Sequence, residues 1–178
     1  MDVVMTEVRL TPDANHQVSG RARATDALDL GEVFEAHAAP LYRTILAYTG
    51  GRSDVAEEAV GEAFARASAR SGTLRDPVAW LYRVAFNVAN DELRRERRRG
   101  SAPPPDGHHP PPEFAGLFEA MKQLPPRERA VMALFYVLDL PVSEVADRMG
   151  LANATVRVHL TRGRRHLAAL LGDDEVSD

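Results

Sequence analysis

The chain has 178 residues, 44% hydrophobic and 27% charged, with a net charge of −4. That is enough apolar material for one domain or two small ones, and it excludes wholesale disorder. The absence of cysteine excludes disulfides, thiolate metal sites and thiol nucleophiles. The longest apolar run, 130–138, is too short to span a bilayer, and the first 30 residues hold no apolar leader core. A cytoplasmic protein with no direct membrane insertion is therefore expected.

Residues 1–29 are polar and weakly patterned, and read as a flexible N-terminal extension. The rest is dominated by Ala, Leu, Arg and Glu and shows no sustained period-two alternation. The expected fold class is therefore all-α. Residues 30–48 form a first amphipathic segment, marked by Val33, Leu41, Ile45 and Leu46, with Pro40 as a point of kinking. Gly50 and Gly51 break it. Ser53 or Asp54 then suits an N-cap, and a second helix runs to about Ser68. After a loop at 71–76, Pro77 opens a long helix that reaches Arg99. Trp80, Leu81, Val84, Val88 and Leu93 mark its buried side.

Residues 101–112 read SAPPPDGHHPPP. Proline lacks the donor that helices need, so this stretch predicts a linker. It divides a helical domain at 30–100 from a second one at 113–171, followed by an acidic tail at 172–178. The second domain reads as four helices, at about 113–123, 127–138, 142–149 and 153–171.

The segment 142–160, VSEVADRMGLANATVRVHL, has helix-turn-helix spacing. Ala146 allows close approach of the two helices, and Gly150 supplies the positive φ of the turn. Asn153 suits the cap of the second helix. That helix would bury Val156, Leu160, Gly163, Leu167 and Leu170 or Leu171. Its other face would carry Arg157, Thr161, Arg162 and Arg165, flanked by His159 and Arg164. An arginine-bearing face on a second helix suits the major groove, because Arg bonds bidentately to guanine and also binds phosphate.

The charge distribution agrees. Residues 151–171 hold four basic and no acidic groups, and 74–100 hold seven basic and four acidic. Such local fields attract nucleic acid in an otherwise acidic chain. The run ELRRERRR at 92–99 suits phosphate contact, or simply a solvated helix end where cations favour the dipole. His108-His109 has no carboxylate cluster beside it. With no nucleophile and no glycine-rich phosphate loop, the reading includes no catalytic residue, metal or cofactor.

Taken in order, these segments resemble a bacterial sigma factor of the extracytoplasmic-function (ECF) group, the minimal two-domain type. The resemblance runs over 30–171. DVAEEAVGEAFAR at 54–66 is similar to the acidic helix that docks on the clamp of core RNA polymerase. This implies Asp54, Glu57, Glu58 and Glu62 as core-binding residues. PVAWLYRVAFNVANDELRR at 77–95 resembles the promoter-melting helix. It implies Trp80, Asn87, Asp91, Arg94 and Arg95 near the −10 element, with the loop at 71–76 close to an extruded base. Leu124-Pro125 with Arg127-Glu128-Arg129 resembles the opening of the second domain. The helix-turn-helix then implies Thr155, Arg157, Val158, His159, Thr161, Arg162 and Arg165 at the −35 element.

The implied partners are core RNA polymerase and promoter DNA. An anti-sigma factor commonly joins them in this group. The implied function is a specificity subunit, not an enzyme. The alternative is a stand-alone helix-turn-helix regulator that binds duplex DNA without polymerase. Two departures stand out: Val158-His159 where the group often has Ser-Arg, and Gly61 in mid-helix where it has a longer polar residue.

Overall fold

The computed structural model describes residues 30–70, 73–100 and 115–172. The expected extension 1–29, the linker 101–112, the tail beyond Gly172 and part of the loop at 71–76 lie outside the described residues. Those residues form helices α1 (Leu30–Tyr48), α2 (Ser53–Ser68), α3 (Pro77–Arg99), α4 (Ala115–Gln123), α5 (Pro126–Val137), α6 (Val142–Met149) and α7 (Asn153–Gly172), with no strand among them.

The N-terminal set, α1 to α3, is built on small-residue packing. Val55, Ala56, Ala59, Ala63 and Ala67 of α2 are buried in a stripe of helical spacing. Their short side chains let α2 lie close along α3, its most extensive neighbour. Trp80, Leu81, Tyr82, Val84, Ala85, Phe86, Ala89 and Leu93 of α3 face this core, which Leu41 and Ile45 of α1 complete. Val88, expected inside, is only partly buried. Pro40 sits within α1, and the Thr44 hydroxyl donates to its carbonyl at 2.8 Å.

Caps fix the helix ends. Asp76 accepts the Ala79 N–H at 2.9 Å, and Pro77 follows it in the first turn of α3. The cap of α7 lies one residue earlier than read, and that of α2 one residue before Ser53 and two before Asp54. Arg52 and Ala152 hold those positions, because their carbonyls accept the first helical bonds, from Ala56 and Val156. At Arg52 the side chain does no capping and is committed elsewhere.

In the C-terminal set, α6 and α7 form the helix-turn-helix. Gly150 takes φ +64°, and the Leu151 N–H reaches back to the Ala146 carbonyl at 2.9 Å. This is a Schellman-type close, which needs the left-handed residue. Val145, Met149, Val156 and Leu160 pack beneath the turn. Gly163 has no room for a side chain, since a Cβ there would meet the Met132 side chain at 2.8 Å. It lets α7 press onto α5.

The two sets do not stand apart. Helix α5 packs on α1, and α6 packs on α3. The buried apolar cluster runs through both sets.

Candidate nucleic-acid interface

The α7 helix carries four arginines and no acid. Packing of Val156, Leu160 and Gly163 inward turns the opposite stripe outward by helical geometry. Arg157, Val158, Thr161, Arg162 and Arg165 are all exposed, and Thr155 is half-buried. The Thr161 hydroxyl donates back to the Arg157 carbonyl at 3.0 Å. Arg164 is turned away from this face: its Nε donates to the Tyr136 hydroxyl at 2.7 Å. His159 sits at the edge of the stripe. Its Nδ1 is buried without a hydrogen-bond partner. Burial pushes its imidazole below the ordinary value, with Arg127 and Arg162 acting the same way and Glu128 opposing. Val158 thus presents an exposed apolar group, of the kind that can meet a thymine methyl.

The α3 stripe follows from its spacing. Asn87, Asp91, Arg94 and Arg95 recur at helical intervals and share one face. Asn87, Asp91 and Arg94 are half-buried and Arg95 is exposed. Trp80 is 6% exposed, so its ring is not open to a base in this conformation. The Arg70 guanidinium lies 5.7 Å from its ring centroid. Asn87 borders a small cavity with Tyr48, Phe86 and Asn90 on one side and Pro126, Arg127 and Ala130 on the other. Acids temper the basic end of α3. Glu92 binds Arg95 at 3.0 Å and lies 4.0 Å from Arg99.

The four acids of α2 fall into two kinds. Asp54 is bound by Arg52, at 2.8 Å to Nε and 2.6 Å to NH2. That hydrogen bonding holds its carboxyl below the usual range. Glu62 pairs with Arg66 at 2.7 Å. Glu57 and Glu58 point to solvent. Together they make an exposed acidic ridge on the side of α2 opposite its alanine stripe.

Several contacts were not foreseen by the sequence reading. Arg52 also grips Glu96 of α3, at 2.9 and 2.7 Å, tying the start of α2 to the basic end of α3. Arg129 is 2% exposed. It donates to the carbonyls of Leu124 at 3.0 Å and Tyr48 at 3.3 Å, and stacks on the Tyr48 ring at 4.9 Å. Burial pushes its guanidinium below its ordinary value, and pushes the Tyr48 hydroxyl up to about 12. Arg148 stacks on Tyr82 at 4.7 Å. Glu128 is bonded to His166 at 2.8 Å, joining α5 to α7. The sequence reading named Glu128 and Arg129 within the pattern that opens the second domain but gave them no partner, and it did not name Arg52 or Arg148. Among the described residues no group of His, Asp and Glu is arranged to hold a metal, and no helix is long and apolar enough to cross a membrane.

Comparison with known proteins matches these two helix sets one by one. Residues 33–99 match the family model of sigma-70 region 2, and residues 116–167 match that of sigma-70 region 4. The chain is 30% identical to the ECF RNA polymerase sigma factor SigL of Mycobacterium tuberculosis, over 87% of this chain and 95% of that one. It is also 30% identical to the ECF RNA polymerase sigma factor BldN of Streptomyces coelicolor, over 86% of this chain but only 64% of BldN. The fold matches the sigma factor RpoE of Bartonella quintana, solved with the anti-sigma factor NepR. The TM-score is 0.65 at 20% identity, covering 84% of this chain and 99% of that one. It also matches CnrH, solved with the cytosolic domain of CnrY. There the TM-score is 0.61 at 24% identity, covering 82% and 88%.

Proposed function

The chain belongs to the ECF sigma factors of the sigma-70 family, and we propose that it is a promoter-specificity subunit of RNA polymerase in the cytoplasm. The polymerase would do the chemistry. This chain would choose the start site and help open it. The observation that carries the reading is the pairing of an exposed acidic ridge on α2 with two separate basic faces, on α3 and α7, within the two matched regions.

Each surface then has a task. Asp54, Glu57, Glu58 and Glu62 dock on core polymerase. The exposed stripe of α7 lies in the major groove of the −35 element, with Arg157, Arg162 and Arg165 reaching bases or phosphates, beside Thr155, Val158, His159 and Thr161. The α3 stripe of Asn87, Asp91, Arg94 and Arg95 guides the melted strand at the −10 element, with Trp80 holding the helix in place. Opening by capture is feasible because unstacking a base costs a few kcal/mol, which binding the exposed base offsets. An anti-sigma factor is a further expected partner, as in the RpoE–NepR and CnrH–CnrY complexes. A stand-alone regulator would leave the acidic ridge and the α3 stripe without a task.

The test is co-elution of purified protein with sigma-free core polymerase on gel filtration. Stoichiometric binding, displaced by a known sigma factor, is expected. A folded sample that fails to bind would sink the reading.

A further inference from the structure

The outward face of α7 is not uniformly basic. An α-helix turns by about 100° per residue. With Val156, Leu160 and Gly163 buried, the centre of the opposite side falls on Ala154, Val158 and Arg165, with Thr161 beside them. Ala154, Val158 and Thr161 lie within about 60° of one another, and Arg157 and Arg162 flank them about 40° beyond either edge. All five are exposed. Val158 is 46% exposed, a large apolar side chain that no packing covers. The Thr161 hydroxyl donates to the Arg157 carbonyl at 3.0 Å, so its one proton is committed to its own helix. Its methyl is left as the contact group. Arg164 stays out of this face, held by the Tyr136 hydroxyl. An apolar centre line thus runs between two arginine edges, with Arg165 at its C-terminal end.

The major groove gives such a face a specific use. The groove is about 12 Å wide, and a helix with its side chains is about 10–12 Å across. A helix seated there turns its centre line to the base edges and its flanks to the phosphate walls. Of the four bases only thymine offers an apolar group in that groove, its C5 methyl. Three side chains with no free donor cannot satisfy the paired acceptors of guanine. Along the axis, Ala154 to Thr161 spans about 10 Å, or roughly three base-pair steps.

We propose that Ala154, Val158 and Thr161 read thymine methyls, so that the −35 element of this chain carries thymines within about three successive base pairs. Arg157 and Arg162 then hold the flanking guanines or phosphates. The inference rests on the proposed function, and it adds Ala154 to the contact residues of α7. The arginines keep the helix on the duplex, and the apolar line chooses which duplex.

The test uses the full chain. Holoenzyme assembled with sigma-free core polymerase selects duplexes from a random pool, and each thymine of the −35 element is then replaced by deoxyuridine. That exchange removes one methyl and leaves every hydrogen-bonding group. Burying one methyl changes affinity about fourfold. At two or three neighbouring positions the exchange should therefore weaken binding by about that factor each, with thymines outside the element silent. Val158→Ser should reduce the loss at one of these positions to less than about twofold, with helical content by circular dichroism unchanged. Thr161→Val keeps a methyl and removes the hydroxyl, and should retain the sensitivity at its position; Thr161→Ser should lose it. A −35 element without thymine, or deoxyuridine without effect at every position, overturns methyl reading. Binding damaged by Thr161→Val and intact in Thr161→Ser makes the hydroxyl the reader and overturns the role of Thr161. If the chain fails to join polymerase but selects a duplex alone, the sigma-factor reading fails, and deoxyuridine in that duplex still decides methyl reading. If it selects no duplex in either form, both fail.

Discussion

Arg52 offers the sharpest test of how the N-terminal set holds its functional faces in register. One guanidinium makes two forked pairs, with Asp54 at the start of α2 and with Glu96 near the end of α3. The side chains of Arg52 and Glu96 are 13% and 22% exposed, whereas Asp54 is 43% exposed. Exposed pairs contribute about 0–1 kcal/mol. Truncating one partner of a fully buried pair costs about 3–5 kcal/mol. The Arg52–Glu96 pair lies between, so a coupling of about 2 kcal/mol is expected from a double-mutant cycle of Arg52→Ala and Glu96→Ala. The Arg52–Asp54 pair is local and wetter, and should couple by about 0.5 kcal/mol. In a chain of this size Arg52→Ala should lower Tm by about 4–8 °C. Arg52→Lys should recover little, because a point charge cannot make two forks. Urea melts of the four proteins in each cycle provide the values. If Arg52 couples to Glu96 no more strongly than to Asp54, the bridge is ornamental and some other contact registers α2 on α3.

Other predictions address single features. Arg157→Ala or Arg162→Ala should weaken duplex promoter binding by about 1–3 kcal/mol if the side chain makes a bidentate base contact; unchanged affinity and selectivity in a fluorescence titration would remove that role. Gly61 is an exposed mid-helix glycine with open space where a Cβ would go. Gly61→Ala should therefore stabilise the fold by about 1 kcal/mol, and a lower Tm would contradict the open-space reading. Burial pushes His37 and His159 below their ordinary value of 6.5; Arg148 acts with it at His37 against Asp76, and Arg127 and Arg162 act with it at His159 against Glu128. As pH falls the unfolded chain takes up these protons first, so this stability is whole above about 6.5 and is lost below it. A His37→Gln, His159→Gln variant should lose less Tm than the parent between about pH 7.5 and 5.5 in calorimetry, and equal losses would refute the assignment.

Local signals were the most legible ones. Helical periodicity set the seven elements nearly to the residue, since each boundary has its own chemistry: Gly50-Gly51, Asp76-Pro77, Pro125-Pro126 and Gly150. The α7 stripe was legible for the same reason, because a buried Val156, Leu160 and Gly163 leaves only one direction for Arg157, Arg162 and Arg165. What failed was the fate of polar groups with distant partners. Arg52 holds the cap position through its carbonyl, while its side chain is spent on Glu96, 44 positions away. Arg129 meets Tyr48 across 81 positions. No window of sequence spacing contains such pairs, and a buried arginine looks like a surface one until its partner is known.

This has a consequence for reading charge as a binding signal. In sequence the run at 92–99 is the densest basic block of the chain. In the fold part of that charge is offset, because Glu92 faces Arg95 and Arg99, whereas Glu96 is taken up by Arg52 from outside the block. The block at 151–171 has fewer arginines but no acid of its own, and three of them stand outward. Counterion release depends on cations that can reach phosphate, not on cations counted along the chain. The α7 face has no acid of its own to offset its arginines, and the packing of the two sets leaves it uncovered. On the proposed function, the α3 stripe, bordered by α5 at Asn87, would depend more on geometry than on charge. A chain built this way would hold duplex DNA through α7 first and engage the opened strand second.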